Sequence, residues 1–316
     1  MKNLLKKFIK NNLYLNAILY IYYNILIHIK IYLKNNNTDS GTTHKHFSLQ
    51  ESIDYINQVF FDYKKVSEIN NFYGKIAEIG PGDSNGVALM FLANGASSVD
   101  LADRFYSLRN QEQQDLITNQ LLTNYPKLQN INIKQCHTRY YGEQSSGEKF
   151  FDYNSNYDFI VSRSVLEHVD NPELVLNKMY NALNPNGMLI HKIDLRDHEM
   201  FTPFSYKLKF LEIPKFIYNL MTYGSGFPNR FLFNGYKEIF TKFNKAAVKF
   251  YVSGLYGMET DNLDNFYDIN EIPVLLKTKA IDFVNKYKHK FSKEIRSIPT
   301  EDLIISSFFV VCKKLN

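Results

Sequence analysis

Apolar residues occur along the chain in two rhythms. Short runs rich in β-branched residues, at 75–79, 98–102, 131–135, 157–162, 188–193, 247–252 and 303–313, read as strands. Between several of them the spacing becomes helical. Ile53, Ile56, Phe60 and Tyr63 share one face of a helix over 48–69, and Val87, Met90 and Phe91 share one face of the next. Further helices are predicted at 111–122, at 172–183 with Pro172 in the first turn, and at 236–243. Strands that alternate with helices predict an α/β domain, with the sheet buried between helical layers.

Two stretches break this rhythm. The first is the amino-terminal region. Residues 1–34 carry Lys2, Lys6, Lys7, Lys10, Lys30 and Lys34 and no acid, and 11–29 is an uncharged run of Leu, Ile, Tyr and Asn without Gly or Pro. A helix is expected there. A cleaved signal peptide would need small residues before Asn35, which are missing. A membrane span would be short, would bury Asn16, Asn24 and His28, and would leave four lysines outside. Two readings stay open: a basic helix lying on an anionic membrane, or a helix packed on the body or on a second subunit. Residues 35–47 read as a polar linker, so 1–47 forms one unit and 48–316 the main domain. His44 and His46 lack a third partner, and no metal is expected. The second stretch is an insertion over 199–236. Its 201–236 portion holds 11 aromatic residues and three prolines, too apolar for a solvated loop, and reads as a lid or acceptor-binding element.

Charge changes the picture once. The chain has 37 basic and 32 acidic residues. Without the six lysines of 1–34, 31 basic residues face 32 acidic ones, so the body is neutral and no nucleic-acid footprint is expected. The two cysteines, Cys136 and Cys312, form neither a metal spacing nor a disulfide framework and suit a reducing, cytoplasmic setting.

Candidate chemistry starts at K-I-A-E-I-G-P-G-D-S-N-G, residues 75–86. A strand runs into Gly80, Gly82 and Gly86 and then into a helix, an arrangement that presents backbone N–H groups to a ligand. Asn85 occupies the place where the dinucleotide spacing wants a small residue. Glu78, two residues before the first glycine, suits an ammonium better than a pyrophosphate. It either contacts that ammonium or organises the turn. Asp103 ends the second strand, where an acid accepts two ribose hydroxyls.

Together with Y-D-F-I-V-S-R-S-V-L-E-H-V at 157–169 and N-P-N-G at 184–187, these residues resemble the class I S-adenosylmethionine-dependent methyltransferases, of the methyltransferase type 11-like kind. The likeness is close over 71–195 and looser from 234 onward. It implies a Rossmann-like, doubly wound, mostly parallel seven-stranded sheet with an antiparallel last strand, plus amino-terminal helices and a helical, aromatic insertion. It also implies S-adenosylmethionine as cofactor, held by Glu78, Gly80, Pro81, Gly82, Asp83, Gly86, Asp103, Arg104, Ser162, Arg163 and Ser164. The acid that such proteins often carry after the third strand, near the adenine amino group, is absent, and Gln135, Cys136 and His137 occupy the region.

For catalysis the candidates are His168, Asp194 and His198. His168 is a base or a packing histidine. Asp194, Asp197 and His198 form a base site, a metal site, or a solvated loop with an Asp–Arg pair. His191 and Lys192 sit in the fifth strand, where polar residues are unusual. The expected activity is methyl transfer to an oxygen of a small, lipid-linked or glycan-linked acceptor, with peripheral membrane contact through 1–34. A catalytically inactive binding subunit and a dinucleotide-dependent oxidoreductase are the alternatives.

Overall fold

The structure is a computed structural model that describes residues 11–33, 37–38, 41–201, 206–260 and 262–316. Lys2, Lys6, Lys7, Lys10, Lys34 and part of the insertion, 202–205, lie outside the described residues.

Eight strands form one sheet: β1 (Gly74–Ile79), β2 (Ala96–Asp103), β3 (His137–Tyr141), β4 (Tyr157–Arg163), β5 (Leu183–Asp194), β6 (Ala246–Leu255), β7 (Tyr267–Asp268) and β8 (Ile305–Lys314). Their spatial order is β3-β2-β1-β4-β5-β8-β6-β7. The pairs from β3 to β5 are parallel, and β8 runs antiparallel between β5 and β6. The expected seven strands are present, and the two-residue β7 adds an eighth at the edge. The chain order reverses beside β1, and this is the switch point at which an open α/β sheet binds ligands.

Burial explains the layers. Phe308, Phe309 and Val310 of β8 are fully buried, which is why that strand reads as an unbroken apolar run. One face of the sheet is covered by α2 (Leu49–Ser67), α3 (Gly86–Asn94) and α4 (Gln111–Asn124), around Phe60, Phe72 and Phe91. The other carries α5 (Pro172–Ala182), α6 (Lys215–Thr222), α7 (Phe233–Thr241) and α8 (Val274–Lys288) with the aromatic insertion.

Two expectations are corrected. The third strand is not 131–135. Residues Ile133–Cys136 form a helical turn, and β3 follows at His137–Tyr141, with Val99 opposite His137 and Asp103 opposite Tyr141. An edge strand pairs on one side only, and the residues of β3 are half-buried or exposed, so no apolar run marked it.

The polar linker is likewise not a free tether. Asn37–Thr38 pairs with Tyr106–Ser107, and the Asp83 amide donates to Gly41 O at 2.9 Å. Asp83 carboxylate oxygens accept from the His44 and Lys45 amides at 3.2 and 2.8 Å. The segment is bound down across the glycine turn.

The amino-terminal helix α1 (Leu13–Tyr32) packs on the body with its polar side inward. Asn16, Ala17, Tyr20 and Asn24 are buried. Asn16 Nδ2 donates to Met200 O at 2.7 Å, Asn24 Nδ2 to Leu220 O at 3.0 Å, and His28 Nε2 lies 2.9 Å from Tyr223 O. Carbonyls at the carboxyl end of α6 need donors, and Asn24 and His28 of α1 supply them, while Asn16 serves the carbonyl of Met200. Among the described residues, no helix is long and apolar enough to cross a membrane.

Candidate active site

The glycine turn is shaped from outside by its neighbours. Gly80 and Gly82 have φ of +71° and +61°. A Cβ on Gly80 would lie 2.3 Å from Val165 Cγ2, and one on Gly82 would lie 2.8 Å from Gly41 O, so only glycine fits either position. Gly86 serves packing: a Cβ there would strike Ile56 Cδ1 at 2.2 Å, so it lets α2 close on α3 and does not reach the ligand space.

Arg139, on β3, fixes the far side of the turn. Its Nη1 donates to Gly82 O at 2.8 Å, Nη2 to Ser84 O at 2.6 Å and Nε to Asn85 Oδ1 at 2.8 Å. Nη1 also reaches Tyr141 Oη at 2.8 Å. Because the third strand was expected to end at Gln135, Arg139 fell in a presumed loop and was missed; the alternating H-T-R-Y-Y pattern was the available signal. The strand shift also moves the position where an acid was sought. Glu143 follows β3, but it pairs with Arg104 at 3.2 Å and Lys149 at 2.9 Å and does not line the cavity.

A cavity of about 470 Å³ opens above the turn. It is lined by Glu78, Gly80, Pro81, Gly82, Asp83 and Ser84 from the first βα unit, and by Asp103 and Arg104 from the end of β2. Ser145 to Glu148, Arg163, Ser164 and His168 add a second wall, and Tyr55 and Val59 of α2 a third. Ile27, Lys30 and Ile31 of α1, Gly41, Thr43 and His44 of the segment before α2, and Ser225 and Gly226 of the insertion also line it. Of the residues singled out for cofactor contact, Gly86 and Ser162 are therefore outside. Ser162 is fully buried in β4, with its Oγ 2.8 Å from His191 Nδ1.

The electrostatics match a cation with vicinal hydroxyls. Burial raises the Glu78 carboxyl to about 7, against the opposing charge of Arg139. Burial raises Asp103 to about 6, opposed by the Phe105 amide, which donates to Asp103 Oδ1 at 3.1 Å. Each carboxylate has lost much of its hydration and gains from a ligand that replaces it. Arg163 is already engaged, with Nη1 2.8 Å from Asp62 Oδ2. Ser164 holds φ of +53° while its amide donates to Lys192 O.

Next to the cavity the structure brings His168, Asp194 and His198 together and adds Glu167. His168 ends the turn Leu166–His168 after β4, and its ring meets that of His198 edge-on at 4.8 Å. His198 Nε2 lies 3.8 Å from Asp194 Oδ2 and 3.9 Å from Glu167 Oε1. The Asp194 amide donates to Glu167 Oε1, while the other Glu167 oxygen is buried without a partner. Burial and the charge of Asp194 push Glu167 well above the carboxylate range. Burial also pushes Asp194 up, but hydrogen bonds from Arg196 outweigh it and hold that carboxyl low. Asp197 stands apart from this set and closes the loop by accepting from the Phe201 amide at 2.8 Å. His198 and Glu199 both have positive φ, +46° and +64°, a strained pair at the edge of the cluster.

His168 alone of the three lines the cavity. Its Nδ1 lies 2.8 Å from Gly226 O, and a carbonyl only accepts, so Nδ1 carries the proton and Nε2 keeps a lone pair. Burial, followed by the neighbouring His198, lowers this imidazole to about 4. The insertion holds the turn in place: Asn229 Nδ2 donates to Leu166 O and Val169 O at 2.9 and 2.8 Å. Glu167 was legible as the acid beside His168 in L-E-H-V, yet nothing in the sequence placed it against His198. His191 is enclosed in the sheet, and burial lowers it to about 3.

Comparison with known proteins adds a sequence match. Residues 53–228, more than half of the chain, match the methyltransferase domain family. No curated protein matches the chain. Solved structures with a related fold include phosphoethanolamine N-methyltransferase 2 of Haemonchus contortus in complex with S-adenosyl-L-methionine, at 12% identity and a TM-score of 0.43. That match covers 82% of this chain and 53% of the other, so this chain spans about half the length of that relative. The YcgJ protein of a Bacillus is 12% identical over 82% of this chain and 99% of its own, with a TM-score of 0.41. The plantazolicin methyltransferase BpumL in complex with SAH is 11% identical over 85% and 89%, with a TM-score of 0.39. At these scores the family assignment rests on the sequence match alone.

Replacing Arg139 by Met removes the donors to Gly82 O, Ser84 O and Asn85 Oδ1 and leaves those acceptors part-buried. Hydrogen bonds from a charged group contribute about 1.5–3 kcal/mol each and are not additive, so a loss of about 3 kcal/mol in urea unfolding is expected. A change under about 0.5 kcal/mol, the range of ordinary surface substitutions, would show that the turn holds its shape without Arg139.

Proposed function

The chain belongs to the methyltransferase domain family, and from that premise we propose that it transfers a methyl group from S-adenosylmethionine to an oxygen of a small, lipid-linked or glycan-linked acceptor. The observation that carries this reading is the cavity itself. It offers a glycine turn without phosphate-binding spacing, two buried carboxyls whose pKa values burial raises, and one neutral imidazole among the lining residues.

Bound there, the cofactor supplies a methyl group on a sulfonium, a carbon ready for in-line displacement. The protein's part is to hold and align. Glu78 accepts from the amino group, Asp103 takes the two ribose hydroxyls, and the amides of the turn face the rest of the amino-acid moiety. His168 Nε2 would take the proton of the acceptor hydroxyl as its oxygen receives the methyl group and the sulfonium sulfur–carbon bond breaks to leave the neutral thioether. His198 packs on the His168 ring and presents its Nε2 to Asp194 and Glu167, so it acts as a positioning residue. The aromatic insertion supports this geometry through Gly226 and Asn229, and its apolar character suits an acceptor with lipid or ring surfaces. A specific observation favours a second reading: ligand-capable atoms of Glu167, His168 and His198 lie within 4.8 Å of one another, and two imidazoles with a carboxylate also suit a divalent cation. Turnover that EDTA abolishes and zinc restores would favour that reading over a free base.

Substituting Asp103 by Ala removes charge-assisted hydrogen bonds of about 1.5–3 kcal/mol, so S-adenosylhomocysteine affinity should fall about 10- to 150-fold by calorimetry. Unchanged affinity removes Asp103 from the site.

The two kinds of titrating group separate by pH. Glu78 must be ionised to hold an ammonium, and its carboxyl is raised to about 7, so affinity for S-adenosylhomocysteine should weaken as pH falls through 7. The base must be neutral, and His168 is lowered to about 4, so kcat with labelled-methyl cofactor should stay level down to about pH 5. His168→Ala should lower kcat by about 100- to 10,000-fold with S-adenosylhomocysteine affinity retained. A kcat that falls with an ordinary histidine pKa, or a fully active His168→Ala, would take His168 out of the role.

A further inference from the structure

Helix α1 is inside out for a surface helix. Its polar residues Asn16, Asn24 and His28 face the body and bond to carbonyls at 200, 220 and 223. Ala17 and Tyr20 are buried with them, but an apolar stripe faces outward: Tyr14, Ile18, Tyr22, Ile25, Ile29 and Leu33 recur at helical spacing, with Ile18 62% and Ile25 54% exposed. Beside them α6 and the residue after it expose Phe216, Leu220 and Tyr223. Among the described residues nothing packs on this face. A soluble helix normally buries its apolar stripe and wets its polar one. Here the asparagine bonds fix the opposite orientation, so water meets an apolar stripe of a kind that marks an interaction surface.

We propose that this face docks on an anionic lipid surface, with the helix lying in the interface. Charge selects the occupant. Residues 1–34 carry six lysines and no acid, and Lys30 is on α1 itself. A two-fold pairing of two copies would set this cationic region against itself, since an isologous interface meets its own patch. An anionic headgroup layer neutralises it, and the apolar stripe enters the acyl boundary. The helix does not insert across the membrane: it is pinned along its polar side and is not apolar enough to span. Ile27, Lys30 and Ile31, on the side of the helix away from the exposed stripe, line the cavity, so docking leaves the cavity wall that α1 forms in place. The docking itself rests on α1 and α6 and stands apart from the methyl-transfer reading.

The test is flotation of the full chain with phosphatidylcholine vesicles, with and without phosphatidylglycerol, at low and at high salt. Binding is expected to the anionic vesicles and to be stronger at low salt. The double variant Ile18→Glu, Ile25→Glu should lower the partition coefficient about tenfold or more while its circular dichroism and its S-adenosylhomocysteine affinity match the parent. Lys2→Gln, Lys6→Gln, Lys7→Gln and Lys10→Gln together should remove most of the salt dependence. The proposal is overturned if the intact chain ignores anionic vesicles at low salt, or if the double variant floats as the parent does. It is equally overturned if the parent is a dimer that the double variant dissolves, since the face would then belong to a second copy. Failure of cofactor binding in the parent would count against the methyl-transfer reading and leave the flotation result standing.

Discussion

Arg139 is a cation taken out of water at the edge of a sheet, and acceptors around it replace its hydration. Three of them belong to the glycine turn and the start of α3, and a fourth is the phenol of Tyr141. Burial lowers its affinity for the proton, yet a guanidinium keeps its charge, so the turn is built around a fixed positive centre. That centre also opposes the rise in the Glu78 and Asp103 carboxyls. Loop shape and cavity electrostatics thus share one side chain. The bound-down residues 41–45 close the turn from the other side, through Gly41 and the His44 and Lys45 amides, which donate to Asp83.

The same economy appears at the other wall. The turn after β4 carries Glu167 and His168, and the insertion sets both: Gly226 fixes the tautomer of His168, and the Asn229 amide donates to Glu167 O at 2.6 Å. The unpartnered, buried Glu167 oxygen is costly and stays only because β5 and the loop after it surround it. A stretch that the sequence marks as too apolar for a loop therefore has two physical tasks, orienting a histidine and receiving the polar side of α1.

The fold was legible where burial forces apolar runs. β1, β2, β4, β5, β6 and β8 follow from their hydrophobic patterns, and the glycine turn follows from three glycines that the structure ties to positive φ or to close packing. β3 was displaced because an edge strand does not need an apolar sequence, and with it went Arg139, whose role depends on the register opposite Val99 to Asp103. The clustering of His168, Asp194 and His198 was expected as chemistry but not as geometry, because strand ends from different units meet only once the sheet is assembled. Helix α1 was legible as a helix, but its orientation was not. Asn16 and Asn24 read as polar interruptions until the carbonyls that they satisfy are in view.

The central claim is that the cavity beside Glu78 and Asp103 is made for a sulfonium nucleoside rather than a dinucleotide. Native mass spectrometry of the full chain with equimolar S-adenosylhomocysteine and NAD tests it directly. The account predicts one bound S-adenosylhomocysteine per chain and no NAD adduct. An NAD adduct that excludes S-adenosylhomocysteine would contradict it.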